Sequence, residues 1–230
     1  MENLFLRYMG ERMEHFSSKH TQTGPVITIS RECGCPGNEI AEMLKNRLNQ
    51  KMIKEGHQPI WKWVNKEILL KASHELKMNP GDVETFLKTK ESGMLQDLAN
   101  SFAETSYVKN ARIKKVIFNV IRNMALEGHM IVVGRGGGSI AWDIPKSLHV
   151  YLEAPLSWKT DMIRQKKGMK IAEARKYVLE SDMQRSKFRD FFRTKFSDEI
   201  YYNLRFNCKS FTAEEICELI ARTAELEKLI

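Results

Sequence analysis

The stretch Val26-Ile27-Thr28-Ile29-Ser30, followed by Arg31-Glu32-Cys33-Gly34-Cys35-Pro36-Gly37-Asn38, decides the fold class. The first five residues are largely apolar and β-branched, the pattern of a strand buried on both faces. The next eight carry Gly34, Pro36 and Gly37, residues that turn a chain. Ile40, Ala41, Met43, Leu44 and Leu48 then recur at helical spacing. A strand, a glycine-bearing turn and a helix in succession open a crossover unit, the device that joins parallel strands.

The rest of the chain repeats that alternation. Strands are predicted over residues 60–64, 130–133, 148–152 and 201–206. Helical patterns fill residues 5–16 and 65–108, with a break at Asn79-Pro80-Gly81-Asp82. A stronger helix is predicted over 111–126, stopped by Gly128, and another from Ser157. Two helical stretches are predicted within 170–192, and a last helix over 213–229, opened by Thr212. Alternating strands and helices predict a three-layer α/β fold with a parallel sheet and helices on both faces. Ligands of such sheets bind at the carboxyl ends of the strands. With 230 residues, one domain spanning 1–230 is the expectation.

Composition narrows the function classes. Hydrophobic residues make up 42% and charged residues 29%, which fits a folded chain and excludes a disordered one. No apolar run approaches the ~18–20 residues that span a bilayer, and the charged N-terminus lacks the apolar block of a signal peptide. A cytoplasmic protein without a membrane partner is expected. Cys33, Cys35, Cys208 and Cys217 do not form two metal half-sites, so reduced thiols and no structural metal are expected. The six histidines are scattered without ligand spacing. Net charge is +8, and residues 164–195 hold eleven basic residues against four acidic ones. The positive field is therefore local, as an anionic ligand requires.

Two loops carry the candidate chemistry. Residues 31–38 lie between a first strand and its helix, where backbone amides and the helix N-terminus favour phosphate. The phosphate-loop pattern G-x-x-x-x-G-K-[ST] is incomplete, because Asn38-Glu39 follows Gly37. On this pattern alone, a phosphate site and a simple turn remain open alternatives. The second loop, Gly134-Arg135-Gly136-Gly137-Gly138-Ser139, follows the apolar run Met130-Ile131-Val132-Val133. Its glycines let another group approach the backbone, and Arg135 is a planar donor suited to phosphate.

Residues 27–32, with Gly34, Gly37, Glu39, Ile40 and Ala41, resemble the start of the cytidylate kinase-like family. Val132-Val133-Gly134-Arg135-Gly136 resembles its second motif, Asp182-x-x-Arg185 the acid–arginine pair of its lid, and Tyr202-Asn203-Leu204-x-x-Asn207 its closing strand. The resemblance covers about residues 25 to 210. It implies a P-loop nucleoside monophosphate kinase fold with a helical acceptor-side insert at about 65–108 and a helical lid at about 164–195. It implies transfer of a phosphoryl group from ATP, with Mg²⁺, to a mononucleotide acceptor, CMP or dCMP. The backbone of Gly34, Cys35, Pro36, Gly37 and Asn38 would hold the donor phosphates. Gly134, Arg135 and Gly136 would meet the acceptor, and Asp182 and Arg185 would reach it from the lid.

The chain departs from true cytidylate kinases. Gly37 and Asn38 stand in place of Lys and Ser/Thr, and Val133 and Gly136 in place of two aspartates. Arg31 is the expected replacement cation and Glu32 the expected Mg²⁺-side carboxylate. Two alternatives stay open: a nucleotide-sensing protein without turnover, and a nucleic-acid-binding protein using the basic face of 164–195. The glycine loops favour a mononucleotide, so no nucleic-acid partner is expected. Trp61 and Trp63 are expected on one apolar face, and Phe188, Phe191 and Phe192 pack inward or stack a base.

Overall fold

A computed structural model describes residues 24–65, 70, 73, 74, 103–192 and 202–230. The helix expected over 5–16, most of the insert expected over 65–108, and the end of the lid beyond residue 192 lie outside the described residues. In chain order the elements are β1 (Val26–Arg31), α1 (Gly37–Lys54), β2 (Lys62–Val64), α2 (Ala103–Glu127), β3 (Met130–Val133), α3 (Gly137–Ile140), β4 (Ser147–Glu153), α4 (Leu156–Lys167), α5 (Ile171–Phe192), β5 (Leu204–Asn207) and α6 (Ala213–Leu226).

The sheet has the order β2-β3-β1-β4-β5, and every ladder is parallel. Period-two alternation sorts the strand side chains onto two faces. Ile27, Ile29, Ile131, Val133 and Val150 face α1 and α6, where they meet Ile40, Leu44, Ile216 and Ile220. Val26, Met130 and Val132 face the opposite layer, against Ile117 and Ile121 of α2 and Ile140 of α3. Both faces are apolar because both are covered, so the strands read as near-continuous hydrophobic runs. Each fully buried aliphatic side chain contributes roughly 1.5–3 kcal/mol.

Several bounds differ from expectation, two of them in helices for plain physical reasons. Helix α2 begins at Ala103, ahead of residue 111, because Ala-Glu-Thr-Ser continues the helical phase without a glycine or proline to stop it. The two stretches expected within 170–192 form the single helix α5. The break falls earlier, at Gly168, whose φ of 65° caps α4. Trp61 is buried and Trp63 packs against the same core, as the alternation requires. Phe192 is buried and Phe188 packs beside it, so these two rings turn inward.

The strand order sets the site. Helix α1 leaves β1 toward one face, whereas α3 leaves β3 toward the other. A crevice therefore opens between the carboxyl ends of β1 and β3, and residues 31–38 and 134–139 both lie there.

Candidate anion-binding site at the carboxyl ends of β1 and β3

Arg31 ends β1, and its side chain crosses the crevice. Its Cδ lies 2.4 Å from where a Cβ on residue 37 would stand, and its Nη1 lies 2.8 Å from the corresponding point on residue 134. Glycine at both positions is what lets the arginine lie flat between the loops. Burial, with Arg185 and Arg135 close by, pulls the Arg31 pKa down to about 10. The guanidinium remains charged at neutral pH, and no carboxylate among the described residues pairs with it. Arg185 of α5 donates from Nη1 to the Arg31 carbonyl at 3.3 Å. Arg31, Arg135 and Arg185 thus converge from β1, the second loop and α5, an arrangement that favours an anion.

Arg135 sits in strained backbone. Its φ is 55°, between Gly134 at 69° and Gly136 at 71°. A non-glycine residue in the left-handed region costs roughly 1–2 kcal/mol, and such strain collects at functional positions. A Cβ on Gly136 would meet the Phe192 ring at 2.8 Å, so this glycine lets α5 close against the second loop.

The first loop is only a partial cradle. Cys33 donates its amide to Asp182 Oδ1 at 2.6 Å, Cys35 to the Glu32 carbonyl at 3.4 Å, and Gly37 to the Cys35 carbonyl at 2.9 Å. Pro36 has no amide hydrogen. Within residues 34–38 this leaves the amide of Gly34 and that of Asn38, the latter in the first turn of the eighteen-residue helix α1. The Asn38 side chain accepts from Asn65 Nδ2 at 3.1 Å, which ties the loop to the end of β2. Cys33 and Cys35 are buried, and burial raises the Cys33 thiol above its ordinary range. Cys35 meets Cys208 in a thiol hydrogen bond, which with burial raises its pKa.

Glu32 and Asp182 do not face the arginines. Both bind Lys159 of α4, whose ammonium lies 2.8 Å from Glu32 Oε2 and 2.7 Å from Asp182 Oδ2. Glu32 Oε2 also accepts the Ala154 amide at 3.2 Å. Burial lowers the Lys159 pKa, but the two carboxylates outweigh it, so the ammonium is held above the ordinary lysine range. Glu32 therefore does not fit as a Mg²⁺ ligand here. Among the described residues no group of three or more His, Cys, Asp or Glu could hold a metal ion. Sequence reasoning missed Lys159. The available signal was its phase: it lies four residues before Ile163, on the buried face of α4.

The family assignment rests on the chain from β1 through β5. Residues 26–210 match the model of the cytidylate kinase-like family. The chain belongs to that family. Among solved structures, an uncharacterised protein from Eubacterium ventriosum is 19% identical with a TM-score of 0.60, over 87% of this chain and 98% of that one. The shikimate kinase from Bacteroides thetaiotaomicron is 11% identical at 0.47, over 87% and 98%. The shikimate kinase from Acinetobacter baumannii, solved with shikimate, is 13% identical at 0.45, over 93% and 99%. No curated protein matches the chain. As a family member the chain has a kinase-like fold, and among the described residues no helix is long and apolar enough to cross a membrane.

Proposed function

We propose that the protein transfers a phosphoryl group from ATP to a nucleoside monophosphate, with CMP or dCMP as the acceptor. The carrying observation is the Arg31 side chain lying across Gly37 and against Gly134, beside Arg135 and Arg185, with no described carboxylate on its guanidinium. Phosphoryl transfer needs positioning and neutralised phosphate charge more than a covalent nucleophile. Arg31 supplies, from the strand side of the loop, the charge that a lysine supplies from the helix side in the full pattern. The amides of Gly34 and Asn38 hold donor oxygens, Arg135 holds the acceptor phosphate, and Arg185 bridges toward the transferred group. Mg²⁺ enters with the nucleotide, since the Glu32 carboxylate is held by Lys159.

The test is product formation from ATP across nucleoside monophosphates, with Mg²⁺ supplied. Nucleoside diphosphate is expected, with the highest rate for CMP or dCMP. The engaged amides of Cys35 and Gly37 favour a second reading, a nucleotide sensor without turnover. That reading predicts that ATP and CMP raise the melting temperature while no diphosphate forms.

A further inference from the structure

Arg31 and Arg185 each have an acidic neighbour. Glu32 follows Arg31 directly, and Asp182 precedes Arg185 by three residues on the same helix. Residues at that helical spacing lie side by side and form ion pairs readily. Neither pair forms here. Glu32 and Asp182 both turn to Lys159, and Asp182 also takes the Cys33 amide. The Lys159 side chain is 8% exposed, against 23% for Glu32 and 20% for Asp182.

A buried ammonium that bridges two carboxylates has little capacity left for a ligand. Its effect on the anion site must pass through Glu32 and Asp182. Carboxylates released beside two guanidinium groups would bind them as bidentate partners and compete with any phosphate. We propose that Lys159 is a positioning residue of the anion site, holding Glu32 and Asp182 away from Arg31 and Arg185 so that both guanidinium groups stay open to a phosphate. This rests on the reading of the arginines as phosphate ligands. It adds that their availability is set by a lysine that does not touch the ligand. The same bridge connects α4, α5 and the first loop, so it also fixes where Arg185 stands relative to β1.

The experiment is a titration of the full chain with inorganic pyrophosphate, followed by calorimetry. Lys159→Met keeps the volume of the side chain and removes the charge. Loss of one charge-assisted hydrogen bond corresponds to about tenfold in affinity, so Lys159→Met is expected to bind pyrophosphate at least about tenfold more weakly than the parent. Adding Glu32→Gln and Asp182→Asn to Lys159→Met removes the competing charges and is expected to restore affinity. A lysine that serves only packing would not give that recovery. Unchanged affinity in a folded Lys159→Met protein overturns the proposal. Should Lys159→Met not fold, the triple variant has no unpaired buried charge and decides alone. Parent-like affinity supports the proposal, and lost affinity overturns it. A parent that binds no pyrophosphate overturns the phosphate reading of the arginines instead. A parent that binds pyrophosphate but phosphorylates no nucleotide overturns the proposed reaction and leaves the role of Lys159 standing.

Discussion

The Arg31 side chain lies over Gly37, with its Cδ 2.4 Å from the position of a residue-37 Cβ. The first turn of α1 and the cation of the site are thereby packed against each other. A methyl group at residue 37 must displace the aliphatic stem of Arg31, which is confined by burial. Alanine is the better helix former by about 1 kcal/mol, so the helix itself does not suffer. Gly37→Ala is therefore expected to keep the fold at a lower melting temperature, while ATP and pyrophosphate binding fall. Parent-like binding measured by calorimetry would show that the Arg31 placement is not needed.

Arg31→Ala removes the central guanidinium and is expected to abolish detectable ATP binding. Arg31→Lys keeps a charge without the planar fork, so partial recovery is expected. Fluorescence titration with a labelled ATP analogue compares the two. Binding by Arg31→Ala equal to the parent would place the donor phosphates elsewhere.

Arg135 combines strained backbone with a proposed acceptor-binding role, so its replacement by glycine should separate the two. Arg135→Gly relieves the left-handed backbone and is expected to raise stability by ~1 kcal/mol, read from urea denaturation. The same variant loses a charge-assisted contact, so acceptor binding is expected to weaken by ~1.5–3 kcal/mol. A variant that gains stability without losing CMP affinity would remove Arg135 from the site.

His149 makes stability depend on pH. It is 6% exposed, with Nδ1 2.8 Å from Thr28 Oγ1 and Nε2 3.1 Å from Ser147 Oγ. Burial pushes its pKa down to about 4. The unfolded chain binds the proton near pH 6.5, so the folded state is favoured above that pH and loses the advantage as pH falls toward 4. A loss of about 3 kcal/mol from this group is expected across that window. Replacing His149 by Gln should flatten the profile, as measured by denaturant unfolding at several pH values. An unchanged slope would assign the acid sensitivity to other groups.

Much of the fold is legible because burial on both faces makes β3 a continuous apolar run and β1 and β4 largely apolar ones. The two glycine loops are legible for a related reason: Gly37 and Gly134 are required where Arg31 passes. The bridge of Lys159 to Glu32 and Asp182 is not legible. It joins residues far apart in the chain, and a lysine early in a helix ordinarily faces water. The family resemblance implies a ligand-facing role for Asp182, yet packing of α5 against α4 turns its carboxylate to Lys159 and the Cys33 amide. The strand bounds of β2 are narrower than the apolar run suggests, since Ile60 is 41% exposed and Trp61 bonds through its backbone to the Asn49 side chain rather than to a strand.

The strand order also dictates when the protein can fold during synthesis. Strand β1 leaves the ribosome well before its partners, since β3 begins at Met130 and β4 at Ser147. Strand β2 cannot substitute, because it pairs only with β3. Among the described residues, then, no ladder of the sheet can close until residue 130 and beyond have left the exit tunnel. Until then β1 is an apolar segment with open edges, exposed to mispairing for the several seconds that translation takes. The chain therefore exposes an unpaired, largely apolar strand before the loops at the carboxyl ends of β1 and β3 can come together.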